Sequence, residues 1–238
     1  MLPILISHGK AIRKKAPKLP EAKDPQGSTN TNYSSSLSLI TLGESTIAGV
    51  GVDYHINGFS GALAKELSHL LQKNIHWNVY AKSGYTAKKV TYRLIDKIEE
   101  KPDMIVIGLG GNDAFTLNRV SKWASQIETL IESLQSKFPK AILIFTNMPP
   151  IKEFPAFTKV VKLTIGTLVE YHGETLTKVV KNYKDVHYIE EVIRLDKWID
   201  KLDGKYTASD FFSDGVHPSA MTYRLWAKEV AVYISTLA

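Results

Sequence analysis

The chain has 238 residues, 44% hydrophobic and 23% charged, a balance that supports one α/β domain with a sizeable core and excludes global disorder. Cysteine is absent, which removes disulfides and thiolate metal sites and agrees with a reducing compartment. The formal net charge is +6, and much of the excess lies in Lys10, Arg13, Lys14, Lys15, Lys18 and Lys23, set against Glu21 and Asp24.

The plain reading of these charges is a solvated basic arm. The sharper reading is peripheral contact with an anionic membrane, where each basic residue near the surface adds about 1 kcal/mol. No aromatic residues interleave with the charges, so no nucleic acid is expected. The opening apolar run, residues 1–6, is too short to span a bilayer. It lacks a preceding basic region and a following small-residue cleavage site, so no signal peptide is evident and a cytoplasmic location is expected. Pro17, Pro20 and Pro25 break any helix, and residues 27–36 are rich in turn formers. Residues 1–36 therefore read as a basic arm and polar linker, and residues 37–238 as the folded domain.

Apolar runs and helical periodicity alternate from there. A strand is predicted over 37–42, followed by Gly43-Glu44-Ser45, and a helix over 58–73. A second strand over 75–81 leads into Lys82-Ser83-Gly84-Tyr85-Thr86 and a helix over 86–100. The third strand, 104–109, is almost continuously apolar, as a strand covered on both faces should be, and Gly111-Asn112-Asp113 follows it. A helix over 120–138, a strand over 141–146, a helix over 155–182 and a short strand over 186–189 come next. Asp214-Gly215-Val216-His217-Pro218 precedes a final helix over 220–237. This alternation implies a five-stranded parallel sheet, order 2-1-3-4-5, with helices on both faces. In that order the first and third strands are neighbours, so Ser45 and Asn112 meet at one crevice.

These fragments supply complementary chemistry. A serine hydroxyl needs a base to become a nucleophile, and His217 is the candidate. Asp214, three residues earlier, can hold the imidazole in one tautomer. The oxyanion formed on attack at an ester carbonyl needs donors, which the Ser45 N–H, the Gly84 N–H and the Asn112 amide can provide. Each residue also has a structural use: Ser45 or Asp214 as a helix cap, Asn112 and Gly84 as turn residues, His217 as an ordinary residue before proline. The ordered set at strand ends favours catalysis. A phosphate loop fails for want of a Lys-Ser/Thr pair, a dinucleotide fingerprint fails at Asp113, and the remaining histidines show no metal-ligand spacing.

The ordered set resembles the SGNH hydrolase superfamily, also called GDSL-type esterases and lipases, from about residue 37 to the end. The resemblance implies a flavodoxin-like three-layer α/β/α sandwich and hydrolysis without metal or other cofactor, through an acyl-enzyme. Position by position it implies Ser45 as nucleophile and oxyanion donor, Gly84 and Asn112 as further donors, His217 as base and Asp214 as its partner. The first block departs from the usual Gly-Asp-Ser by having Glu44, whose role the sequence leaves unassigned. The basic arm resembles, more weakly, the leader of a bacterial subgroup.

The segment after the fourth strand, with Met148, Phe154 and Phe157, and the pair Phe211 and Phe212 are candidates for the wall of an acyl pocket; plain core packing is their alternative use. The expected substrate is a short- to medium-chain acyl ester. A carbohydrate or peptidoglycan O-acetyl esterase is the alternative enzyme, and a non-catalytic flavodoxin-like binding module the alternative of another class.

Overall fold

The computed structural model of the chain describes residues 19–237. The basic residues of the arm up to Lys18, and their expected membrane contact, lie outside the described residues. In chain order the elements begin with β1 (Gln26–Ser28), β2 (Ser36–Gly43), α1 (Phe59–Leu71), β3 (Asn74–Ala81), α2 (Ala87–Leu94) and β4 (Met104–Gly108). They continue with α3 (Gly111–Phe115), α4 (Val120–Lys137), β5 (Ile142–Phe145), α5 (Lys159–Val180), β6 (Val186–Tyr188), α6 (Leu195–Lys201) and α7 (Ala220–Ser235).

The sheet order is β1-β3-β2-β4-β5-β6. Strands β2 to β6 are mutually parallel and reproduce the expected 2-1-3-4-5 order. A sixth strand, β1, pairs antiparallel with the edge strand β3. Residues 26–28, inside the stretch expected as arm and linker, are built into the sheet. Backbone pairing needs no apolar side chains, and Gly27 lets the backbone lie against the Trp77 indole, where a Cβ would come within 2.5 Å of the ring. The edge is extended by the Val79 N–H donating to Pro25 O and the Thr29 N–H to Ile75 O.

Side chains alternate across the sheet, as the two-residue period of a strand demands. Leu39 and Val106 face a core built with α1, α6 and α7; Ile40, Leu42, Ile105 and Ile107 face one built with α2, α4 and α5. Three layers result, and both faces of β4 are buried. Helix boundaries follow local capping. α5 starts at Lys159 rather than near 155 because the Thr158 hydroxyl accepts the Val161 N–H. α7 is capped by the Ser219 hydroxyl accepting from Thr222, so Pro218 stands just before the cap. α2 ends at Leu94 and tightens into a 3₁₀ turn, Ile95–Lys97, instead of running to 100.

Gly27→Val is expected to lift β1 from Trp77. Hydrogen exchange should accelerate at the Thr29 and Val79 amides while the β4 amides stay protected; unchanged exchange at both would contradict this packing.

Candidate active site

The sheet's carboxyl ends deliver the expected residues to one place. Ser45 follows β2, Gly84 follows β3 and Asn112 lies in α3 just after β4. Neither the Ser45 N–H nor the Gly84 N–H has an acceptor among the described residues. Residues 82–85 form a turn closed by the Tyr85 N–H on Lys82 O, and Gly84 has φ +80°. That value at the third turn position is the type II geometry, which favours glycine.

Asp214 and His217 arrive as a unit. His217 Nδ1 lies 2.8 Å from Asp214 Oδ2, and Asp214 Oδ1 accepts the backbone N–H groups of Val216 (3.0 Å) and His217 (2.7 Å). Burial pushes the Asp214 carboxyl up, but its bonds to the His217 ring and backbone, the His217 charge and the Val216 N–H together hold it below its ordinary value. An ionised Asp214 accepts from Nδ1–H, leaving the lone pair of the neutral ring on Nε2. The Asp214 side chain is 1% exposed and that of His217 22%, so the ring alone reaches the crevice. The Ser45 hydroxyl and His217 Nε2 are not hydrogen-bonded to each other.

The turn carrying this pair is fastened to the serine loop by residues that the sequence reading missed. Ser213 Oγ shares its one proton between Gly51 O at 3.0 Å and Pro218 O at 3.1 Å, and the Ser213 N–H donates to His217 O. Gly51, at φ +110°, permits this approach, since a Cβ would lie 2.4 Å from Pro218 O. Tyr223 of α7 donates to Val50 O at 2.7 Å from a fully buried position.

Glu44, unassigned from sequence, is buried at 6% exposure and binds the third block. Its carboxylate accepts the Gly111 N–H on Oε1 and the Asn112 N–H on Oε2, both at 2.9 Å. Burial raises its pKa to about 7; the Asn112 and Gly111 N–H groups oppose that rise and Asp113 adds to it. Asp113, fully buried, accepts the Ala87 N–H at the start of α2 and the Asn118 amide, and burial raises it to about 6. The Asn112 Nδ2 donates to Tyr85 O at 3.0 Å, so the third block is joined both to the second block and to the start of α2. The sequence signal for both acids was their position: each directly adjoins a site residue in a turn after a buried strand.

An apolar cavity of about 550 Å³, its open mouth included, lies behind the serine turn. Its lining includes Glu44 and Thr46 on either side of Ser45, Pro218 beside His217, and Phe154, Phe212 and Trp226. Two of the expected wall residues, Phe154 and Phe212, thus line it. Phe211 is corrected to a core position: fully buried, it stacks near Trp198 while its neighbour Phe212 turns to the cavity. Phe157 is corrected likewise; it is outside the lining and packs behind Phe154, against Phe115. Met148 is outside the lining and lies over Gly110, where a Cβ would meet its Cε at 2.4 Å. Among the described residues, no group of three or more His, Asp or Glu could hold a metal ion, and no helix is long and apolar enough to cross a membrane.

Comparison with known proteins adds the family. The model of the GDSL-like lipase/acylhydrolase family matches residues 41–225, a span holding every block described above. The chain belongs to the GDSL-like lipase/acylhydrolase family. Its members are named as hydrolases of acyl groups, and this chain is a hydrolase by family. Among solved structures it is similar to a family two carbohydrate esterase from Clostridium thermocellum in complex with cellohexaose, with TM-score 0.61 and 16% identity over 85% of this chain. The match covers 65% of that structure's own length. It is similar also to the psychrotrophic esterase EstA from Pseudoalteromonas sp. inhibited by monoethylphosphonate, with TM-score 0.56, 17% identity and coverage of 85% of this chain and 97% of that one. A third is the lipase Lip_vut3 from a goat rumen metagenome, with TM-score 0.57, 17% identity and coverage of 84% and 97%. At these identities the likenesses establish the fold. No curated protein sequence matches the chain.

The raised pKa of Glu44 carries a stability prediction. Between pH 4.5 and about 7 the folded protein holds a proton that the unfolded chain has released. This contribution is therefore full below pH 4.5 and is lost as pH rises towards 7. At about 1.4 kcal/mol per pH unit the loss is about 3 kcal/mol. Glu44→Gln, which cannot ionise, should gain roughly that much on the wild type between about pH 4.5 and about pH 8, read by urea unfolding. A difference independent of pH would refute it.

Proposed function

We propose that the chain is a serine esterase that hydrolyses carboxylic acyl esters through an acyl-enzyme on Ser45. The observation that carries this reading is the Asp214–His217 pair fastened onto the serine loop by the Ser213 hydroxyl on Gly51 O. His217 Nε2 takes the Ser45 Oγ proton as Oγ bonds to the ester carbonyl carbon. The carbonyl electron pair moves to its oxygen, where the Ser45 N–H, the Gly84 N–H and the Asn112 Nδ2 receive the charge. The oxyanion collapses, the C–O bond to the alcohol breaks, and the leaving alkoxide takes the proton from Nε2. Water then attacks the acyl-enzyme with His217 again as base, giving the carboxylic acid and free serine.

The apolar lining of the cavity beside Ser45 supports an acyl chain longer than acetyl, because burying each CH₂ gains about 0.8 kcal/mol. The carbohydrate esterase among the structural neighbours favours the second reading, an O-acetyl esterase acting on carbohydrate or peptidoglycan.

A fluorophosphonate probe is expected to label the wild type and not Ser45→Ala; an unlabelled wild type would leave a non-catalytic binding module. Asp214→Asn should lower kcat by roughly 10⁴-fold and Asn112→Ala by about 10²–10³-fold. On a panel of p-nitrophenyl esters, kcat/KM should rise from acetate towards medium chain length. Acetate as the sole good substrate would favour the O-acetyl esterase.

A further inference from the structure

The segment preceding β1 does more than extend the sheet. Ala22 N–H donates to Ala48 O and Lys23 N–H to Asp53 O, while Lys23 O accepts the His55 N–H. Residues 22 and 23 are thus laced along the loop that follows Ser45. From this laced backbone Glu21 reaches sideways to the second block. Its Oε1 accepts the Ser83 N–H at 2.7 Å and its Oε2 accepts Lys82 Nζ at 2.8 Å.

The two ends of the turn are held by the Lys82 N–H on Gly43 O and by Asn112 on Tyr85 O, and Glu21 grips the middle. A Cβ built on Gly84 would meet nothing within 4 Å, so packing does not confine the turn from that side. The Gly84 N–H is carried by the peptide unit between Ser83 and Gly84, so a shift of the whole turn displaces that donor from the serine loop. The Ser83 N–H belongs to the peptide unit that leads into this one, and a carboxylate on it fixes where the turn stands relative to the serine loop with a charge-assisted bond.

We propose that Glu21 is a positioning residue for catalysis, which places the Gly84 turn against the serine loop by holding the Ser83 N–H and Lys82 from a strap anchored on that loop. The proposal rests on the esterase reading above, in which Gly84 is an oxyanion donor. It touches no reacting atom, so its effect is on the transition state through Gly84. Misaiming a donor by an ångström-scale shift costs up to about 10²-fold in rate.

Glu21→Ala, Glu21→Gln and the strap control Thr29→Ala, which removes the hydroxyl accepting the Ile75 N–H, separate positioning from stability. Glu21→Ala is expected to lower kcat for a p-nitrophenyl ester by about tenfold or more with KM within about twofold, and to speed hydrogen exchange at the Ser83 amide. Glu21→Gln should recover most of kcat, because its amide oxygen still accepts the Ser83 N–H. Thr29→Ala should lower the Tm and leave kcat unchanged. A Glu21→Ala kcat within about twofold of wild type would overturn the proposal. An equal kcat loss in Thr29→Ala at matched Tm would do the same. A wild type that neither turns over esters nor takes up the fluorophosphonate defeats the esterase reading instead. The exchange measurement then decides the strap alone, and unchanged Ser83 exchange in Glu21→Ala overturns it too.

Discussion

A buried carboxylate that accepts two adjacent backbone N–H groups is the constraint on which this site rests. Glu44 leaves the end of β2 and binds the first N–H groups of α3, so the turn carrying Ser45 and the turn carrying Asn112 cannot move independently. Burial of such a group is costly, and the two N–H bonds offset part of that cost; where they fall short, the acid keeps its proton to near neutrality. Glutamate, which sets the first block apart from the usual sequence, makes this link here.

Other fastenings depend on that one. With α3 fixed, Asp113 can take the Ala87 N–H and Asn112 can take Tyr85 O, which locks the start of α2 to the third block. The Asp214–His217 turn is tied separately, through Ser213 and Gly51, to the loop that begins at Glu44. Every link is a polar group meeting backbone. Side chains of the cores set how far apart the elements lie; these bonds set the angles at which their ends converge.

Elements whose physics is local were legible in the sequence. The almost continuous apolar run over 104–109 announced a strand buried on both faces, observed as Met104–Gly108, and the helical spacing of Trp123, Ile127, Leu130 and Leu134 announced α4 within a residue of its end. The strand order followed from the alternation, and the convergence of Ser45 with Asn112 followed from the order. What escaped depends on partners distant in sequence. β1 has no apolar pattern because it contributes only backbone to β3 and a glycine to Trp77. α3 spans five residues, too few for periodicity to register, and is capped from outside by Glu44. Phe211 and Phe212 are identical in type and adjacent, and only the three-dimensional path sends one to the core and the other to the cavity.

The two bonds that seat the serine loop span 162 and 173 residues of chain. Contacts so distant in sequence raise the contact order of the site and bring both ends of the domain to one loop. The crevice therefore cannot take shape on a growing chain until α7 has been made and has docked against α1. Competence at this site becomes a report on the whole molecule, because the serine loop is seated only when both ends of the domain are in place.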